Sequence, residues 1–116
     1  RGMRSVLLVE DDPDQLEVRS LLFEAAGHRV QAASSAAAAR EAFCRSEPDV
    51  VVMDLRLPRM EDGLELIRWL RERSQAAHII VLSGWASDFA GLPERALVNH
   101  CLAKPVSSRQ LLDLIG

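Results

Sequence analysis

The chain has 116 residues, a length that suits one domain with a single hydrophobic core. Hydrophobic residues make up 48% of it, so it can fill such a core and is not expected to be disordered. A net charge of −3 without a basic block argues against a nucleic-acid-binding surface, and no apolar run approaches the roughly 18 residues of a membrane span.

The ends and the cysteines give two further expectations. Arg1 and Gly2 precede Met3 and are interpreted as a cloning remnant, so the predicted domain spans residues 3–116. Cys44 and Cys101 lie far apart and lack metal-ligand spacing, which indicates a reduced, cytoplasmic protein.

The first half of the chain alternates apolar runs with helical stretches. Residues 5–9 predict a strand that ends at acids. Residues 13–26 predict a helix, because apolar residues recur there at i, i+3, i+4 and i+7 and Gly27 can end it. Those apolar residues are Val18, Leu21, Leu22 and Ala25. Residues 28–33 predict an edge strand, and Ser34 and Ser35 can cap a helix that reaches about Ser46.

The second half continues the same alternation. Strands are predicted over residues 49–54, 78–82 and 101–103. Asp62 can cap a helix over residues 63–73, and Ser107 with Gln110 forms a capping box for a last helix to Ile115. The helix expected over residues 88–98 is weak, because Gly91 and Pro93 interrupt it.

This order of elements predicts an α/β fold made of five βα units. Strands that are apolar on both faces indicate a parallel sheet covered by helices on both sides. Right-handed crossovers then leave few topologies.

Polar residues follow four of the five strands, and parallel strands place them at one edge of the sheet. These residues are Glu10, Asp11, Asp54, Ser83 and Lys104, with Lys104 expected to be the only cation among them. Clustered carboxylates suit a hard divalent cation, and a lysine suits a phosphate. The pattern therefore predicts Mg²⁺-assisted phosphoryl chemistry with a carboxylate nucleophile. Without metal, the carboxylates should repel one another, so at least one should have a raised pKa.

Four segments in this order resemble the receiver domains of two-component response regulators. They read LLVEDDPDQ, VVMDLRLPRMEDGLEL, VLSG and LAKPV. The resemblance covers nearly the whole chain, and it implies a doubly wound, flavodoxin-like sheet with strand order 2-1-3-4-5.

The resemblance also implies roles for individual residues. Asp54 would accept the phosphoryl group, while Ser83 and Lys104 would contact it, Lys104 beside a cis Pro105. Mg²⁺ would be held by Glu10, Asp11, Asp54 and the backbone carbonyl of Arg56. These roles describe a signalling domain that catalyses its own phosphorylation and dephosphorylation and is not an enzyme in the ordinary sense.

The partners implied are a sensor histidine kinase or phosphotransfer domain and an output domain or downstream protein, with a homodimer left open. Direct contact of this domain with nucleic acid or a membrane is not expected. The chain is interpreted either as a single-domain regulator or as part of a longer protein, including a hybrid histidine kinase.

Three features depart from the family pattern. Cys101 replaces the usual aromatic residue three positions before Lys104, so switching by rotation of a ring is not expected. Gly91 and Pro93 disturb the fourth helix, which is a signalling surface in the family. Arg56 and Trp85 lie two positions beyond Asp54 and Ser83, where the family tunes the lifetime of the phosphoryl group.

Two other functions remain open at this point. One is a receiver-like interaction module that works without phosphorylation, although the intact set of site residues argues against it. The other is a Mg²⁺-dependent phosphatase with an aspartyl nucleophile. Enzymes of that kind that resemble haloacid dehalogenases carry a second aspartate two residues after the first, and Arg56 at that position argues against it.

Overall fold

A computed structural model describes residues 3–116, apart from the side chain of Ala86; the expected cloning remnant at residues 1 and 2 lies outside the described residues. The strands are β1 (Ser5–Val9), β2 (Arg29–Ala33), β3 (Val50–Asp54), β4 (His78–Ser83) and β5 (His100–Ala103). The helices are α1 (Pro13–Ala25), α2 (Ala36–Arg45), α3 (Met60–Arg73), α4 (Ala86–Ala90) and α5 (Ser108–Ile115), with a 3₁₀ helix over Pro93–Leu97.

The five strands form one parallel sheet with the order β2-β1-β3-β4-β5. The predicted fold class and strand order are therefore confirmed. β3 lies at the centre of the sheet and every one of its residues is buried, as the unbroken apolar run predicted. β2 is an edge strand, which agrees with its weaker alternation.

Alternate residues of the strands supply two separate core layers. Leu7, Val51 and Ile79 face the layer that contains Phe43 of α2 and Leu66 of α3. The residues between them face a second layer, which contains Phe23 of α1 and Leu111 of α5. The sheet is thus covered on both sides, as expected for parallel strands.

Capping side chains fix several helix ends. Asp12 accepts from the N–H of Asp14 at the start of α1, and Ser35 accepts from the N–H of Ala38 in α2. Ser107 accepts from the N–H of Gln110, which is one of the two hydrogen bonds of the predicted capping box. Gly27 follows α1 with a φ of 97°, the left-handed conformation that suits glycine.

Two helix predictions need correction. The helix predicted to begin at Gly63 begins at Met60, because Asp62 lies in its first turn and accepts from the N–H of Arg59 at 3.1 Å. The helix predicted over residues 88–98 is split into α4 and the 3₁₀ helix. Gly91 lies between the two, and Pro93 is the first residue of the 3₁₀ helix.

α3 approaches the sheet very closely at Gly63. A Cβ atom placed there would lie 1.8 Å from the backbone oxygen of Leu55, the residue that follows β3. Only glycine fits such an approach without moving the backbone. This contact ties the start of α3 to the loop beside Asp54.

Within residues 3–116, no helix is long and apolar enough to cross a membrane.

Candidate functional site

The site lies at the carboxyl edge of the sheet, where four strands end next to one another. Asp54 is the last residue of β3 and Ser83 is the last residue of β4. Glu10 and Asp11 follow β1, and Lys104 follows β5. The fold thus brings together the five side chains that the sequence placed at this edge, which we call the rim.

Three carboxylates form the acidic part of the rim. Glu10, Asp11 and Asp54 each offer an oxygen atom, and these oxygens all lie within 4.8 Å of one another. Glu10 and Asp54 are buried, whereas Asp11 is exposed. Two buried carboxylates beside a third are costly unless cations or hydrogen bonds compensate them.

Lys104 supplies one of the compensating charges. Its ammonium nitrogen lies 2.9 Å from Oδ1 of Asp54. Its backbone N–H donates to the carbonyl of Ser83 at 2.9 Å, which holds the residue beside the end of β4. The Lys104–Pro105 peptide is cis, as the family resemblance implied.

Arg19 supplies a second compensating charge, and the sequence reasoning did not find it. Its Nη1 lies 3.2 Å from Oε1 of Glu10, so a cation from outside the rim compensates it in addition to Lys104. Arg19 was missed because α1 is oriented differently from the prediction: Val18, Leu21 and Leu22, which were expected to face the core, are exposed.

A second set of α1 residues with the same spacing faces the protein. It contains Leu16, Arg19, Ser20 and Phe23, at i, i+3, i+4 and i+7. This set carries only two apolar residues, but Phe23 is the one fully buried side chain of the helix. Arg19 is turned inward with it, and the repeated spacing was the only signal in the sequence.

The environment of Glu10 changes its protonation. Burial, and then the carboxyl of Asp54 beside it, raise the pKa of Glu10 from 4.5 to about 7. The N–H of Asp12, which donates to Oε2 at 3.0 Å, and the cations Lys104 and Arg19 favour the charged form and oppose this change. Glu10 is therefore the carboxylate with the raised pKa that was expected in the metal-free rim.

The other side of the rim is formed by the loop after β4. The N–H of Trp85 donates to Oγ of Ser83 at 2.9 Å, which leaves the hydroxyl proton of Ser83 free to donate elsewhere. The guanidinium of Arg56 lies 5.0 Å from the centre of the Trp85 ring, a distance typical of a cation–π contact. Arg56 and Trp85 are therefore paired across the rim, between the ends of β3 and β4.

The donor set fits Mg²⁺. Three carboxylates at one edge provide the hard oxygen ligands that this ion prefers. In addition, Oδ1 of Asp54 is buried and, among the described residues, makes no hydrogen bond of good geometry although Lys104 is near. A buried carboxylate with such an oxygen is suited to a positively charged ligand.

Comparison with known proteins agrees with this geometry. Residues 6–116 match the family model described as "Response regulator receiver domain". The chain is 37% identical over 117 residues to the transcriptional regulatory protein GltR of Pseudomonas aeruginosa, covering 97% of this chain and 47% of GltR. This chain therefore spans about half of GltR.

Two further similarities cover nearly the whole of each chain. The polar-differentiation response regulator DivK of Brucella ovis is 30% identical over 115 residues, which are 97% of this chain and 93% of DivK. The fold matches the response regulator TrrA of Thermotoga maritima, solved in complex with Mg²⁺ and BeF, with a TM-score of 0.85 and 22% identity, covering 97% of this chain and 96% of TrrA.

The match to the family model covers almost all of the described chain, and the strand order and the acidic pocket of Glu10, Asp11 and Asp54 agree with it. The family consists of signalling modules of two-component systems and not of enzymes in the ordinary sense. The chain belongs to the response regulator receiver domain family.

Proposed function

We propose that this receiver domain, spanning residues 3–116, is a switch that accepts a phosphoryl group on Asp54 from the phosphohistidine of a partner. The observation that carries the proposal is the position of Asp54. It ends the central strand, is 4% exposed, has the Lys104 ammonium 2.9 Å away, and shares the rim with two further carboxylates.

The chemistry would be a displacement at phosphorus. A carboxylate oxygen of Asp54 forms a bond to phosphorus as the phosphorus–nitrogen bond of phosphohistidine breaks, and the imidazole leaves with the electron pair. The product is an acyl phosphate. Transfer of this kind depends mainly on positioning and charge neutralisation, which the rim residues can supply.

Each rim residue has a proposed part in that step. Lys104 offsets negative charge on the phosphoryl oxygens, and Ser83 donates its hydroxyl proton to one of them. Glu10, Asp11, Asp54 and the backbone carbonyl of Arg56 would hold Mg²⁺. When bound, Mg²⁺ supplies positive charge that offsets the repulsion between the carboxylates and an incoming phosphate.

Receiver domains interact with histidine kinases and output domains, and we propose a sensor histidine kinase or a phosphotransfer domain as the phosphoryl donor here. The signal would pass to an output domain or a downstream protein, in the cytoplasm, without direct contact of this domain with nucleic acid or membrane. A homodimer is a further candidate assembly.

The direct test is the intact mass of the protein after incubation with acetyl phosphate and Mg²⁺. One labile phosphoryl adduct should form, and EDTA or Asp54→Asn should abolish it. Asp113→Asn, which changes an exposed acid of α5, should leave it unchanged. An undiminished adduct in Asp54→Asn would refute the assignment of Asp54, and the absence of any adduct in the wild type would favour a phosphorylation-independent interaction module.

A further inference from the structure

Arg19 has an unusual position for a surface-helix arginine. It belongs to a helix whose large apolar residues Val18 and Leu21 are exposed, yet its own side chain is only 14% exposed. A guanidinium is rarely buried to this extent unless an anion compensates it. The anion is Glu10, whose side chain is 3% exposed and whose Oε1 accepts from Arg19.

Both oxygens of Glu10 are already engaged. Oε1 accepts from Arg19 at 3.2 Å, and Oε2 accepts from the N–H of Asp12 at 3.0 Å. Asp54 forms an ion pair with Lys104, although without a hydrogen bond of good geometry. The rim therefore holds two pairs of opposite charge, and the exposed Asp11 makes no salt bridge to any residue within the described part of the chain.

A divalent cation at the rim would draw on the same negative charge that Arg19 now compensates. Two cations beside one anion repel each other. If Mg²⁺ weakened the pair between Arg19 and Glu10, the guanidinium of Arg19 would remain buried with less compensation, which costs free energy. Lys104 has a second task, since it would meet the phosphoryl group. The hydrogen bond and salt bridge of Arg19 at the rim are made to Glu10 and not to Asp54 or Ser83, so its charge acts mainly on the proposed metal site.

We propose that Arg19 is a resident counter-ion of Glu10 that stabilises the acidic rim when no metal is bound and thereby lowers the affinity of the rim for Mg²⁺. This inference rests on the proposed function, because it requires that the rim binds Mg²⁺. Phosphorylation at Asp54 would then require a higher concentration of free Mg²⁺ than in a rim without Arg19.

The test is a Mg²⁺ titration at pH 8 followed by tryptophan fluorescence, since Trp85 lies two residues after Ser83 and is 54% exposed. Arg19→Met keeps an unbranched apolar side chain similar to the aliphatic part of arginine and removes the charge. It should bind Mg²⁺ more tightly by roughly tenfold, the scale of coupling between neighbouring charges near a protein surface. Arg19→Lys restores the charge and should return the affinity toward that of the wild type.

Arg40→Met is the matched control. It removes the same charge from α2, where Arg40 lines a groove with Glu65 and Trp69, and it should not change the affinity for Mg²⁺. An affinity in Arg19→Met that is equal to or weaker than that of the wild type would overturn the inference. If the wild type itself binds no Mg²⁺, the proposed metal site fails and this inference fails with it. If the wild type binds Mg²⁺ and Arg19→Met binds it no more tightly, this inference alone fails.

A thermal melt covers the case in which Arg19→Met is poorly folded in the absence of metal. Removing Arg19 leaves Glu10 without its partner, and a bound cation would replace that charge. Mg²⁺ should therefore raise the melting temperature of Arg19→Met by more than it raises that of the wild type. An equal or smaller rise would contradict the proposal.

Discussion

The raised pKa of Glu10 predicts how the stability of the metal-free protein depends on pH. The pKa is 4.5 in the unfolded chain and about 7 in the folded protein, mainly because Glu10 is buried. Between these two values the folded state keeps a proton that the unfolded state has lost. The free energy of unfolding should therefore fall as pH rises from about 4.5 to about 7 and stay level above that range.

The size of this effect follows from the pKa values. The difference between 4.5 and about 7 corresponds to about 3 kcal/mol at 1.36 kcal/mol per pKa unit. This is an upper figure, because the ion pair with Arg19 favours the charged form of Glu10. Glu10→Gln carries a neutral side chain at every pH and should lack this loss of stability.

Urea denaturation in EDTA, followed by circular dichroism at several pH values from 4.5 to 8, measures the effect. The free energy of unfolding of Glu10→Gln minus that of the wild type should increase with pH by up to about 3 kcal/mol. Taking this difference cancels the titration of the groups that do not interact with Glu10. Glu17→Gln changes an exposed acid of α1 and should follow the wild type. A difference that stays constant with pH would refute the reasoning.

Three further predictions follow from the site and its supports. Lys104→Ala should still bind Mg²⁺ in a fluorescence titration but should be phosphorylated by acetyl phosphate roughly a hundredfold more slowly, because only the cation facing the phosphoryl group is lost; loss of Mg²⁺ binding in a folded variant would contradict this. Gly63→Ala should lower the free energy of unfolding in urea by at least about 2 kcal/mol, because its Cβ would overlap the backbone of Leu55. Gly91→Ala, whose Cβ would meet nothing within 4 Å, should lack this steric destabilisation. Equal stabilities of the two variants would refute the packing argument. Because Cys101 has no ring to rotate, beryllofluoride should change hydrogen exchange mainly within residues 83–98, and unchanged exchange there would exclude this segment as the switch.

The carboxyl edge of the sheet could be predicted because its geometry follows from strand direction alone. Once five parallel strands are expected, Asp54, Ser83 and Lys104 must share an edge with the acids after β1. The break of the fourth helix was equally local, because Gly91 and Pro93 act on the backbone of their own segment.

The inward face of α1 could not be predicted in the same way. Two sets of residues have the same helical spacing, and the more apolar set, which includes Val18 and Leu22, is the exposed one. The orientation is decided by how Phe23 packs in the second core layer, which depends on β1, β3 and α5 together. Arg19 and its pair with Glu10 follow from that packing, and the local spacing, which fits both sets of residues, could not decide between them.

Arg71 attaches one end of the segment between β4 and β5, residues 84–99, to α3. From the last turn of α3 its guanidinium donates to the carbonyls of Leu97 and Ala77 at 2.8 Å each and to the side chain of Asn99 at 3.1 Å. The far end of the 3₁₀ helix is thereby attached to α3. Gly91 and α4, in which Phe89 is buried in the core and Ser87, Asp88 and Ala90 are exposed, lie on the near side of that attachment. We therefore expect a conformational change that starts at Ser83 to remain on the α4 side of Leu97 and to require repacking of the buried Phe89.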